Sequence, residues 1–168
     1  MDLLFFDLDG TLLDSESEIS NFTQEILVKL KLNNIAYSAA TGRTMLTGTD
    51  ILKGHGFHLP QVYSNGVTIW DPRNNSLSLE HLLGSSEISI IIEAAGLQGI
   101  TPFVHAVSES EYSIYHAKPR HDIEKELISA RYQNTEAKIM SLDQLTDMSQ
   151  VTNVSMIGIA AAVEEVQR

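Results

Sequence analysis

Leu3-Leu4-Phe5-Phe6 opens the chain as an unbroken apolar run that ends in Asp7-Leu8-Asp9-Gly10. A run without polar alternation predicts a strand buried on both faces, as in a parallel sheet. Ile19, Phe22, Ile26, Leu27, Leu30 and Leu32 then recur at helical spacing, with Ser15 or Ser17 as the expected cap. Ile35–Ala40 predicts a second strand, Thr44–Lys53 a helix stopped by Gly54 and Gly56, and Val62–Ser64 a third strand running into Asn65-Gly66. This β-α-β-α-β order predicts a parallel sheet with right-handed crossovers.

The pattern then changes. Val67–Trp70 and Ser76–Leu79 flank a turn-rich stretch and predict a hairpin, and Thr101–Val107 with Tyr112–His116 predict another. Helices are expected over Glu87–Ala95, ended by Gly96, and over Asp122–Arg131, with Glu124, Lys125 and Glu126 on the wet side. Val151–Ile159 reads as a strand and Ala160 as a helix start. Hairpins mixed with helices indicate an α+β unit, so the expected organisation is an α/β part over 1–83 and an α+β part over 84–168, with the boundary near Leu82–Ser86.

Composition narrows the functional classes. The 168 residues carry 22 acidic and 11 basic side chains, a formal charge of −11. That balance argues against nucleic acid and against an anionic membrane surface as partners. With no cysteine, thiol nucleophiles, disulfides and zinc–thiolate sites are excluded. No leader pattern and no membrane-length apolar run is present, and a cytoplasmic protein is the simplest expectation. His55 and His58 lie three apart but read as part of a surface connection rather than as a metal pair.

The chemistry concentrates at the ends of the three early strands. Asp7 and Asp9 project from one side at strand spacing, and Gly10 permits the turn that exposes them. Two carboxylates so close repel one another unless a cation intervenes, and a hard divalent ion suits oxygen ligands. Thr41-Gly42-Arg43 stands at the end of the second strand and Ser64-Asn65-Gly66 at the end of the third. Open parallel sheets bind ligands along that edge.

The run from Phe5 to Thr11 resembles the first motif of the haloacid dehalogenase superfamily. Thr41-Gly42-Arg43 resembles its second motif, and Ser64-Asn65-Gly66 is similar to the stretch that precedes a large α/β cap in its sugar-phosphate phosphatases. The resemblance implies the N-terminal half of a Rossmann-like core followed by a cap. It implies Mg²⁺ held by Asp7 and Asp9, with Asp7 as nucleophile and Asp9 as acid and base. Thr11, Thr41, Gly42, Arg43 and Asn65 are the implied phosphate or substrate contacts, and a small phosphorylated metabolite the implied substrate.

Two later family motifs, a charge-neutralising Lys and a Gly-Asp-x-x-x-Asp loop, have no counterpart in the sequence. Lys118, Lys125 and Lys138 fall on cap segments that read as loop, helix and strand, and Asp143 and Asp147 lack the glycine context. The resemblance therefore implies a C-terminally shortened chain. Such a chain would be a weak catalyst, with the first strand open at one edge and available for homo-oligomers. The alternatives are a catalytically weak or inactive remnant that acts by binding or association, and an acidic receiver phosphorylated on Asp7. The receiver matches less well, because receivers place the acidic pair and the phosphorylated Asp on different strands.

Overall fold

The computed structural model describes residues 3–166 except 109, 110 and 134. They fall into two compact units, Met1–Glu80 and His81–Arg168.

In the first unit, β1 (Leu3–Phe6) pairs parallel with β2 (Ala36–Ala39) in the register Leu3↔Ala36 to Phe6↔Ala39. A single parallel bridge, Ala40↔Val62, joins β2 to β3 (Gln61–Tyr63). The crossovers are α1 (Asn21–Leu32) and α2 (Met45–Leu52). The cap of α1 is Ser20, not Ser15 or Ser17: its Oγ accepts the Thr23 N–H at 3.2 Å. Ser17 instead takes a left-handed turn at φ 63°. Gly48 lets α2 close on β3, since a Cβ there would stand 2.6 Å from Tyr63 Cε1. The antiparallel strands β4 (Thr68–Asp71) and β5 (Ser76–Leu79) continue from β3.

Leu8, Leu12, Leu27, Tyr37, Leu52, Phe57 and Tyr63 form the core, with Phe6, Met45 and Trp70 packed against it. The first strand departs from expectation. Leu3, Leu4 and Phe5 are 48, 39 and 54% exposed, because β1 pairs on one side only, with β2, among the described residues.

The second unit is a four-stranded sheet ordered β8-β7-β6-β9, from β6 (Phe103–Val107), β7 (Tyr112–His116), β8 (Lys138–Ser141) and β9 (Val151–Ser155). The β6 strand runs antiparallel to β7 and β9, and β7 parallel to β8. Helix α3 (Ser85–Leu97) buries Ile88 against Val104 and Val151. It runs through Gly96 rather than ending there, and the chain turns at Gly99, φ 71°. Helix α4 (Asp122–Leu127) opens into a wider turn over Ile128–Tyr132, and α5 (Ala160–Val166) follows β9. Glu124 is not on the wet side of α4: it is fully buried.

On the other side of this sheet His105 is 1% exposed, between Tyr112 and Tyr132. Its Nδ1 lies 3.2 Å from the Tyr112 hydroxyl and its Nε2 3.1 Å from Ser155 Oγ. Burial pushes its pKa down from 6.5 to about 4, so the fold holds the neutral ring. The stability this gives is fully present above pH 6.5, the unfolded value, and is lost as pH falls toward about 4. The loss totals on the order of 3 kcal/mol. Urea midpoints for this unit should therefore fall between those two pH values, and His105→Gln should flatten the slope. A flat wild-type profile would contradict a neutral, buried ring.

Candidate active site

The site is built where three neighbouring strands end together. Asp7 leaves β1, Thr41 follows β2, and Ser64-Asn65-Gly66 follow β3. The parallel pairings put all three ends on one edge of the sheet. Backbone bonds sew the ends together: Ala40 N–H to Phe6 O at 2.8 Å, Thr41 N–H to Val62 O at 3.0 Å, Asn65 N–H to Thr41 O at 3.2 Å and Ser64 N–H to Arg43 O at 2.8 Å.

The turn after β3 needs unusual backbone. Ser64, Asn65 and Gly66 all have positive φ, at 50, 55 and 101°. Asn tolerates this region better than most residues, and Gly enters it freely. The turn carries Asn65 over Gly42, where a Cβ would meet Asn65 Oδ1 at 3.0 Å. A side chain at position 42 would therefore press on Asn65.

Between these ends lies an open cleft of about 450 Å³, lined by Asp7, Ala40, Thr41, Gly42, Val62, Asn65 and Gly66. Asp7 Oδ1 accepts the Leu8 N–H at 2.7 Å, which leaves Oδ2 for chemistry. Thr41 Oγ1 accepts the Arg43 N–H at 3.1 Å, so its own hydroxyl proton is available to an oxygen in the cleft. The cleft thus combines one carboxylate, one hydroxyl and one carboxamide. A second hollow of about 250 Å³ opens at the other end of β2, around Ile35, Tyr37 and His58, and holds no carboxylate among its lining residues.

Asp9, Arg43 and Thr11 are placed differently from the other site candidates. Asp9 follows Asp7 in a tight turn, closed by Leu13 N–H to Leu8 O at 3.0 Å and made possible by Gly10 at φ 71°. Neither Asp9 nor Arg43 lines the cleft. They bind each other beside it: Arg43 Nε donates to Asp9 Oδ2 at 2.7 Å and Nη2 to Oδ1 at 2.6 Å. The hydrogen bond to Asp9 raises the Arg43 pKa against the opposing effect of burial. Thr11 is exposed in the same turn and is not among the lining residues.

The Asp7 carboxylate is a hard oxygen donor at the cleft and suits a small divalent cation. Among the described residues no group of three or more His, Cys, Asp or Glu is placed to hold a metal. No helix among the described residues is long and apolar enough to cross a membrane.

A family model described as haloacid dehalogenase-like hydrolase matches residues 4–168. No curated protein matches the chain. Among solved structures, the chain is similar to a haloacid dehalogenase-like hydrolase from Bacteroides thetaiotaomicron, at 22% identity and a TM-score of 0.73, over 98% of this chain and 61% of that one. It is also similar to a subclass IIB sugar phosphatase of the superfamily, at 18% identity and TM-score 0.73, over 99% of this chain and 62% of that one. A third likeness is to another phosphatase of the superfamily from Bacteroides thetaiotaomicron, at 15% identity and TM-score 0.74, over 99% and 59%. These likenesses bear on the fold, and the chain spans about three fifths of the length of each.

Proposed function

The chain belongs to the haloacid dehalogenase-like hydrolases, and from that membership we propose that it hydrolyses phosphate monoesters of small metabolites, sugar phosphates among them, through an aspartyl-phosphate on Asp7. The observation that carries this reading is the cleft, where Asp7, Thr41 and Asn65 meet at the carboxyl ends of adjacent parallel strands. Similarity to a sugar phosphatase of the superfamily supports the substrate class.

The reaction follows from the side chains. With a phosphoryl group in the cleft, the Thr41 hydroxyl and the Asn65 carboxamide donate to its oxygens and hold it before Asp7. An Asp7 oxygen attacks phosphorus, the bond to the leaving oxygen breaks, and Asp9 gives that oxygen a proton. Water then attacks the phosphorus of the aspartyl-phosphate. The bond to Asp7 breaks, Asp9 takes the proton from water, and inorganic phosphate leaves. Mg²⁺, when bound by the Asp7 carboxylate and the Asp9 carbonyl, supplies neutralising charge for the meeting of carboxylate and phosphate. The second unit would act as the cap that selects the substrate.

Assay of the 168-residue protein against a panel of sugar phosphates tests the reading. Phosphate release that requires Mg²⁺ and stops with a chelator is expected. Failure to release phosphate from any monoester, or turnover indifferent to chelation, would contradict it.

A further inference from the structure

Arg43 has two possible employments beside the cleft: it can bind the phosphoryl group, or it can act through Asp9. The geometry points to the second, and we propose that Arg43 is a positioning residue that fixes the Asp9 carboxylate for its exchange of protons with the leaving oxygen and with water. The proposal rests on the phosphatase reading above.

Three observations carry it. The guanidinium is already committed, with both Asp9 oxygens held at 2.6 and 2.7 Å and Ser17 Oγ 3.3 Å from Nη2. Three of its five N–H donors are engaged, two of them in a two-point, charge-assisted pair whose fork geometry Arg alone supplies. Second, no basic side chain is among the lining residues of the cleft, although Thr41 and Gly42 of the same turn both are. Third, the main chain at Arg43 is pinned on both sides, by its N–H to Thr41 Oγ1 at 3.1 Å and by its carbonyl, which accepts the Ser64 N–H at 2.8 Å. The side chain therefore leaves a fixed point toward the Asp9 turn.

Asp9 has the greater need of such a hold. Its side chain is 58% exposed, against 22% for Arg43, and it stands on a turn that contains Gly10. An ion pair so exposed contributes little to stability. Its effect is on geometry: a carboxylate free to rotate is held in one orientation.

The two employments separate by leaving group. An alkyl phosphate needs a proton on its departing oxygen, whereas p-nitrophenyl phosphate departs without one. Arg43→Gln should lower kcat/KM for an alkyl phosphate by about 10²-fold, the cost of a misplaced catalytic group. The same variant should leave p-nitrophenyl phosphate within a few-fold and inhibition by inorganic phosphate unchanged. Arg43→Lys, which keeps the charge but not the fork, should recover part of the alkyl-phosphate rate. The Arg43 Nε–H resonance should differ between the wild-type protein and Asp9→Ala.

Equal loss on both substrates, weaker inhibition by inorganic phosphate in Arg43→Gln, or an Nε–H resonance indifferent to Asp9→Ala would overturn the positioning role while wild-type turnover stands. Melting of each variant separates misfolding from these outcomes. Absence of turnover in the wild type overturns the phosphatase reading, and this role with it.

Discussion

Asp7→Asn should abolish phosphate release from every monoester the protein accepts, while the fold and the cleft persist. The amide is nearly isosteric with the carboxylate, and its oxygen can still accept the Leu8 N–H that Asp7 Oδ1 accepts at 2.7 Å. The β1 register and the bond from Ala40 N–H to Phe6 O should therefore survive. What disappears is the attacking oxygen, since a neutral amide is a poor nucleophile toward phosphorus. Removing a nucleophile costs on the order of 10⁶-fold in characterised hydrolases. Turnover should accordingly fall to background. Asp9→Asn should be milder, roughly 10²–10⁴-fold, because it removes a proton carrier and not the bond-forming atom. Asp7→Asn protein that retained wild-type, metal-dependent turnover would show that another group attacks.

The largest expected effect on stability lies in the second unit, at Glu124. Its carboxylate is fully buried and accepts four hydrogen bonds: from Thr101 N at 2.8 Å, Thr101 Oγ1 at 2.9 Å, Arg120 N at 2.6 Å and His121 N at 3.0 Å. It thereby caps α4 and ties the helix start to Thr101, two residues ahead of β6. Burial alone would raise its pKa. The amides of Thr101, His121 and Arg120, with the Thr101 hydroxyl, outweigh burial and hold it below the usual carboxylate range. The stability it gives is present above the unfolded carboxylate value and is lost as pH falls through the lowered folded value.

Glu124→Ala would leave those donors buried without an acceptor, at a cost of about 3–5 kcal/mol. Glu124→Gln, which keeps one acceptor oxygen, should cost less. Denaturant unfolding by circular dichroism, with hydrogen exchange at the Thr101, Arg120 and His121 amides, measures both. A loss under about 1 kcal/mol in Glu124→Ala would mean that the four bonds contribute no more than an average surface contact.

Glu124 also shows where sequence pattern stops being informative. Between Asp122 and Glu126 it reads as one more acid on a wet helix face. Its burial is decided by Thr101 and by the amides of Arg120 and His121, which the pattern does not connect to it. The early strands were legible because each ends in residues whose chemistry and turn geometry agree: Asp7-Leu8-Asp9-Gly10, Thr41-Gly42 and Ser64-Asn65-Gly66. Their meeting around one cleft follows from the β-α-β-α-β order, which brings the carboxyl ends of parallel strands to a single edge.

The exposure of Leu3, Leu4 and Phe5 did not follow from their apolar pattern. That pattern speaks for burial, and exposure depends on which strands and helices lie alongside. The commitment of Arg43 to Asp9 was equally hidden, because 34 residues separate the partners and either could serve a phosphate. Gly96 reads as a helix stop, yet α3 continues through it to Leu97, and the turn comes at Gly99.

The central claim is that Asp7 forms the covalent intermediate, and trapping that intermediate tests it most directly. The protein is mixed with a phosphate monoester and Mg²⁺, quenched in acid within a turnover, and treated with borohydride, which reduces an aspartyl-phosphate to homoserine. Peptide mass spectrometry then locates the change. The account predicts homoserine at position 7, absent without substrate and absent in Asp7→Asn. Homoserine at another carboxylate, or substrate-dependent phosphate release with position 7 unchanged as Asp throughout, would contradict it.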